Sequence, residues 1–192
     1  MSLDILLGPM FAGKTSRILS IVSRYAAIGT PVLVINHSLD TRYSTLDQVV
    51  THDHNKIQCI RLKDLDDLPE DMLKAHSVLI VDEAQFFPEL VAFCEYAVDT
   101  HGKHVYLVGL DGDSNRRPFG DILKCIPLAD RVERLTAFCK RCADGTPGLF
   151  THRRFSVDAQ IMVEGPSAYE TLCRKCYLAA TAATAVPAAA TI

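Results

Sequence analysis

Apolar residues gather in four short, β-branched runs, at 3–7, 31–35, 78–81 and 105–108. Runs of that length with no polar alternation predict strands buried on both faces, the pattern of a parallel sheet. Between the first two runs, residues 16–27 carry Ile18, Leu19, Val22, Tyr25 and Ala26 at helical spacing. Between the last two, residues 88–100 place Leu90, Val91, Phe93, Cys94 and Ala97 on one helical face. Alternation of strand and helix predicts an α/β fold, a parallel sheet flanked by helices with ligands bound beyond the carboxyl ends of the strands. A further short strand is predicted over 131–135. Residues 38–56 are polar without clear periodicity and read as a loop or flap that contributes to the site.

The character changes at Ala137, where cysteine pairs enclose a Gly/Pro-rich stretch and two strand-like runs, 149–151 and 159–163. The expected organisation is therefore a nucleotide-binding unit over 1–136, a metal-binding unit over 137–177 and an Ala/Thr-rich tail over 178–192. That tail reads as disordered or as an alanine-rich helix.

Composition narrows the partners. The chain has 192 residues, a net charge of −3 and a pI near 6.1. This is no footprint for non-specific nucleic-acid binding, although the pairs Arg116-Arg117 and Arg153-Arg154 could still meet phosphate. No apolar stretch approaches the roughly 20 residues of a membrane span, and residues 2–7 run straight into a glycine loop without a leader, so a cytoplasmic protein is expected. The 7 cysteines of such a chain point away from a disulfide framework and toward metal or redox use.

The glycine loop is Gly8-Pro9-Met10-Phe11-Ala12-Gly13-Lys14-Thr15, a complete G-x-x-x-x-G-K-[ST] phosphate loop between a strand and a helix. Its two glycines let backbone N–H groups and the helix N-terminus face an anion; Lys14 can reach terminal phosphates and Thr15 can ligate Mg²⁺. The run Val78-Leu79-Ile80-Val81 ends in Asp82-Glu83, the acidic strand end that partners such a loop. Strand alternation would point the two carboxylates apart, leaving one for the Mg²⁺ shell and the other for a second substrate. Cys139-x-x-Cys142 and Cys173-x-x-Cys176 form a paired array suited to tetrahedral Zn²⁺, and four thiolates close the shell, which is the structural rather than the catalytic arrangement. Cys59, Cys94 and Cys125 read as buried small hydrophobes. Histidines show no ligand spacing alongside the cysteines; only His52 falls in a loop expected near the site.

These motifs, with Asp40-Thr41-Arg42-Tyr43, Thr51-His52-Asp53, Asp82-Glu83-Ala84-Gln85-Phe86-Phe87, Leu110-Asp111-Gly112 and Arg116-Arg117-Pro118-Phe119-Gly120, resemble in order and spacing the type II (cytosolic and viral) thymidine kinases over residues 3–177. The resemblance implies a RecA-like P-loop sheet with a small zinc-ribbon-like lasso, and ATP-dependent phosphorylation of the thymidine 5′-hydroxyl. It further implies a homotetramer and feedback by thymidine triphosphate. By the same resemblance Glu83 activates the hydroxyl, Arg42 stabilises the transferring phosphoryl, and Lys14 holds the phosphates. Asp40, Asp82 and Gln85 join residues 8–15 around the nucleotide and its metal. Gln85 also lines the nucleoside pocket with Phe86, and Leu110, Phe119, Met162, Val163, Glu164 and Tyr169 complete it. Two departures stand out: Ser114 replaces a pocket aromatic and Glu164 replaces a glycine, leaving thymidine against deoxyuridine open.

Two other functions share parts of this pattern. A nucleic-acid-dependent ATPase also uses a phosphate loop with Asp-Glu, but such motors generally need two of these units and a basic face. A zinc-ribbon module on a nucleotide switch would need no hydroxyl-activating acid, so Glu83 discriminates it.

Overall fold

A computed structural model describes residues 1–39, 48–50, 56–154 and 166–184. Six strands form one parallel sheet: β1 (Ser2–Leu7), β2 (Val32–His37), β5 (Ile60–Leu62), β6 (Val78–Asp82), β7 (His104–Gly109) and β8 (Arg131–Arg134), in the order β5-β2-β6-β7-β1-β8. The strands predicted over 3–7, 31–35, 78–81, 105–108 and 131–135 all form in this sheet, most of them a residue or two longer than the apolar runs that foretold them.

Period-two alternation sorts the sheet's side chains onto two cores. Leu3, Ile5, Leu33, Ile35, Leu79, Val81, Val105 and Leu107 face one side, where Leu73 of α2 (Glu70–Ala75) and Leu90 and Phe93 of α3 (Leu90–Cys94) cover them. Leu6, Val34, Ile80 and Val108 face the other, under Ile18 and Ile21 of α1 (Lys14–Ala26). Fully burying each such side chain is worth about 1.5–3 kcal/mol. The helix predicted over 88–100 forms as α3 and continues as a π-helical stretch, Glu95–Thr100. Cys59, Cys94 and Cys125 are buried among these apolar groups, as expected.

The aperiodic stretch 38–56 departs from a plain loop. Gln48–Val50 (β3) pairs antiparallel with Lys56–Gln58 (β4), while 40–47 and 51–55, with His52, lie outside the described residues.

Beyond β8 the chain forms two small antiparallel ladders: β9 (Ala137–Phe138) with β10 (Pro147–Gly148), and β11 (Phe150–Arg153) with β12 (Tyr169–Leu172). The helix α4 (Arg174–Thr184) follows, burying Tyr177 and Ala180 against Leu172 and the cysteines. Of the two expectations for the tail, the helix is therefore realised as far as Thr184; residues 185–192, like the run predicted over 159–163, lie outside the described residues. Among the described residues no helix is long and apolar enough to cross a membrane.

Candidate functional site

Three neighbouring strands, β6, β7 and β1, end on one rim of the sheet and deliver Asp82, Gly109 and Leu7 side by side. After Leu7 the chain curls: the Gly8 N–H donates to the Gly109 carbonyl at 3.2 Å, and a Cβ at Gly8 would lie 2.8 Å from the Leu135 carbonyl oxygen. Gly13 takes a left-handed φ of 79° and caps α1, whose first turn carries no acidic residue. Lys14 Nζ donates to the carbonyls of Gly8 and Pro9 at 3.1 and 2.9 Å, folding its cation over the loop. A lysine and the positive end of α1 thus meet on the same loop, a combination that suits a polyphosphate. Thr15 follows in the first turn of the same helix.

At the end of β6, Asp82 is 5% exposed and its Oδ1 accepts the Glu83 N–H at 2.9 Å. The strand stops there. Glu83 lies just past the strand with φ 52°, so the strand alternation on which the sequence reading relied does not extend to it. Gln85 then fixes the glutamate: its Nε2 donates to Glu83 Oε2, while its Oε1 accepts the Leu110 N–H at 3.0 Å. Glycines wall this amide in. A Cβ on Gly109 would come within 2.5 Å of Gln85 Oε1, and one on Gly120 within 2.0 Å of the Gln85 carbonyl.

Beside the acid lies an apolar cluster of Met10, Leu110 and Phe119, against which Phe86 and Tyr169 pack. Phe86 and Phe119 meet edge to face with centroids 5.4 Å apart, and His37, at the end of β2, closes on Phe86 at 5.6 Å. The loop leading to Phe119 is braced by Asp113, whose Oδ1 accepts the Asn115 and Arg117 N–H groups at 2.8 and 2.9 Å. Ser114 turns its carbonyl to the Tyr177 hydroxyl at 2.8 Å. The arginine pairs serve aromatic faces: Arg116 sits 4.6 Å from the Tyr177 ring centroid and Arg153 5.7 Å from that of Tyr169. Of the residues expected from the sequence, Gly8 to Thr15, Asp82, Glu83, Gln85, Phe86, Leu110, Phe119 and Tyr169 are brought to this rim. Asp40, Arg42, Met162, Val163 and Glu164 lie outside the described residues.

The four paired cysteines also converge, with sulfurs all within 4.8 Å of one another. Tetrahedral Zn²⁺ with Zn–S bonds of 2.3 Å requires S···S edges of about 3.8 Å. Cys142 lies 3.8 Å from Cys173 and 3.6 Å from Cys176, so the donor set fits that ion. Burial pushes the Cys139 thiol up, but backbone N–H groups of Cys173, Cys142 and Arg141 outweigh it and bring the thiol down to about 6, favouring the thiolate a metal needs. Behind the knuckles, Arg141 donates to Glu170 Oε1 at 2.7 and 3.2 Å, and His152 Nδ1 lies 3.2 Å from the same oxygen. Burial raises the Glu170 carboxyl, yet the arginine holds it below the usual range. Burial lowers His152.

Sequence reasoning missed two residues. Thr151 and Thr171 hydrogen-bond the N–H and carbonyl of Met10, and nothing local in either strand announces a partner more than 140 positions away.

Comparison with known proteins agrees with this geometry. The family model for thymidine kinase matches residues 1–177. Thymidine kinase a of Arabidopsis thaliana is 39% identical over 181 residues, covering 92% of this chain and 75% of that protein. The cytosolic thymidine kinase of Homo sapiens is 38% identical over 178 residues, covering 91% and 72%. The thymidine kinase of Monkeypox virus is 36% identical over 177 residues, covering 92% and 96%. With a phosphate loop, a glutamine-held glutamate and an aromatic pocket on one rim, and relatives of this similarity along most of its length, the chain belongs to the thymidine kinase family.

Proposed function

We propose that this protein transfers the γ-phosphate of ATP to the 5′-hydroxyl of thymidine. The observation that supports the reading is the Gln85 side chain, which donates to Glu83 and accepts from Leu110, a member of the apolar cluster with Met10, Phe86, Phe119 and Tyr169. Phosphoryl transfer has a loose transition state, so the protein's task is to align the two oxygens and neutralise charge. Lys14 and the loop N–H groups hold the donor's phosphates. Glu83 orients the acceptor hydroxyl and takes its proton late in the transfer. Thr15 and Asp82 are the residues that would hold Mg²⁺, which screens the charge on the phosphate oxygens. The aromatic faces of Phe86 and Tyr169 suit a pyrimidine, since base stacking contributes about 1–3 kcal/mol per base in proteins that bind single strands.

The same reading assigns residues 1–136 to nucleotide binding and 137–177 to a lasso held by structural Zn²⁺ on Cys139, Cys142, Cys173 and Cys176. From the family resemblance, Arg42 stabilises the transferring phosphoryl with Asp40 beside it, and Met162, Val163 and Glu164 offer backbone groups to the base. A cytoplasmic homotetramer inhibited by thymidine triphosphate completes the proposal.

A coupled ATP-consumption assay across the four deoxyribonucleosides and deoxyuridine, with and without thymidine triphosphate, tests it. Thymidine should accelerate ATP consumption, and the triphosphate should suppress it. ATP consumption indifferent to every nucleoside would overturn the kinase reading. Comparable rates with deoxyuridine would show that Ser114 and Glu164 relax the choice of base.

A further inference from the structure

Met10 belongs to two sites at once. Its backbone lies in the phosphate loop, two residues after Gly8, while its side chain is buried with Leu110 and Phe119 in the apolar pocket. One rung of the β11–β12 ladder grips it from outside. Thr151 and Thr171 are register partners across those strands, and both are buried. Thr151 Oγ1 accepts the Met10 N–H at 3.0 Å, and Thr171 Oγ1 donates to the Met10 carbonyl at 2.6 Å. Thr171 also accepts, through its own carbonyl, the N–H of Lys140 in the first cysteine knuckle at 2.9 Å.

Satisfying buried polar groups requires partners of some kind. It does not require that both polar groups of a single loop residue be taken by one cross-strand pair. Next to this rung the backbone is under load: Phe11 has φ 64°, a left-handed conformation that persists only where the surroundings over-determine it. The start of the loop is tied to Gly109 through Gly8 and to Lys14 through the Gly8 and Pro9 carbonyls, and the rung adds the hold on Met10.

We propose that Thr151 and Thr171 are positioning residues that set the phosphate loop against the nucleoside pocket through Met10, so that both substrates arrive at reacting distance. The proposal rests on the kinase reading above. Alignment of this kind is steep in its effect, because a displacement of about 1 Å can cost roughly 10²-fold in rate.

The test uses full-length, zinc-loaded protein carrying Thr171→Val, Thr171→Ser, Thr151→Val or Thr151→Ser. Valine keeps the shape and removes the hydroxyl; serine keeps the hydroxyl. Each valine variant should lower kcat for thymidine by at least about tenfold, while binary affinities for ATP alone and thymidine alone stay within about threefold by calorimetry. The serine variants should recover most of the rate. Amide exchange over residues 8–13 should rise in the valine variants and return toward wild type in the serine ones. Equal rates for valine and serine, or binary affinities falling in step with kcat, would overturn the positioning role. Should one valine variant fail to fold, the other and the serine pair decide. A wild-type protein that leaves thymidine unphosphorylated would instead count against the kinase reading, and the exchange experiment would still judge the rung: unchanged exchange at 8–13 refutes it.

Discussion

In the sheet, Leu79, Ile80 and Val81 are wholly enclosed and both faces are paved with aliphatic carbon. In the β11–β12 hairpin the enclosed side chains are Thr151, His152, Arg153, Glu170 and Thr171, and the apolar core behind them amounts to Leu172, Tyr177, Ala180 and the cysteines. The first region is stabilised by area removed from water, which is non-directional and tolerant. The second depends on directed pairs such as Arg141 with Glu170 and on four sulfurs spaced for a metal. Because the hairpin supplies Tyr169 to the pocket and grips the phosphate loop, a structurally weaker element governs the geometry of a sturdier one.

The sharpest way to separate the regions is to remove the Zn²⁺ proposed for the four cysteines. Structural Zn²⁺ contributes apparent binding energies of about 10–16 kcal/mol in small zinc units, so strong chelation or Cys139→Ser should unfasten the hairpin and leave the sheet standing. The thymidine KM should rise before ATP binding changes, and exchange protection should vanish from 137–154 and 166–184 while persisting in β1, β6 and β7. Acid should reproduce this. With its folded value drawn to about 6 from an ordinary 9.0, the Cys139 thiolate contributes fully above pH 9 and is lost as pH falls through 6. Zinc release followed with a chromogenic chelator should therefore climb below about pH 6. Purified protein without zinc would contradict the comparison at its root.

On the proposed mechanism, Glu83 serves the reaction more than either fold. Glu83→Gln should cut turnover by about 10²–10⁴-fold while ATP affinity and zinc content stay unchanged. Undiminished turnover would remove it as the group that activates the hydroxyl. On the apolar side, Leu79→Ala should cost about 2–5 kcal/mol of unfolding free energy, read from the urea midpoint, without altering zinc stoichiometry in the native fraction. A loss well below that range would mean the sheet's interior collapses around the gap.

The smallest change addresses the seam. Tyr177→Phe deletes the hydroxyl that donates to the Ser114 carbonyl but leaves the ring beneath Arg116. One hydrogen bond of about 1 kcal/mol corresponds to roughly a fivefold rise in thymidine KM with kcat preserved. An unaltered KM would uncouple α4 from the loop before Phe119.

The sheet was legible because strands buried on both faces must be written as unbroken apolar runs, and the loop because the left-handed backbone at Gly13 favours glycine. Cys-x-x-Cys spacing predicted the sulfur cluster for a similar local reason. What escaped notice is non-local or conformational. The left-handed turn at Glu83 leaves no mark in a strand that simply ends in two acids. The β3–β4 pairing is three residues a side, too short to print a period. Helix α4 was ambiguous because alanine and threonine in its last turns carry little amphipathic signal, and the burial of Tyr177 and Ala180 decides what composition left open. The grip of Thr151 and Thr171 on Met10 exists only after the chain has closed on itself.

Gly109 and Gly120 need never meet either reactant, and a map of ligand-touching positions would pass over both. Yet a methyl at Gly120 would collide with the Gln85 backbone and one at Gly109 with its amide oxygen, so either should disturb the glutamine that donates to Glu83. Tolerance to mutation around this rim should thus follow the crowding behind the glutamine, with two bare backbone positions as unforgiving as the acid they shelter.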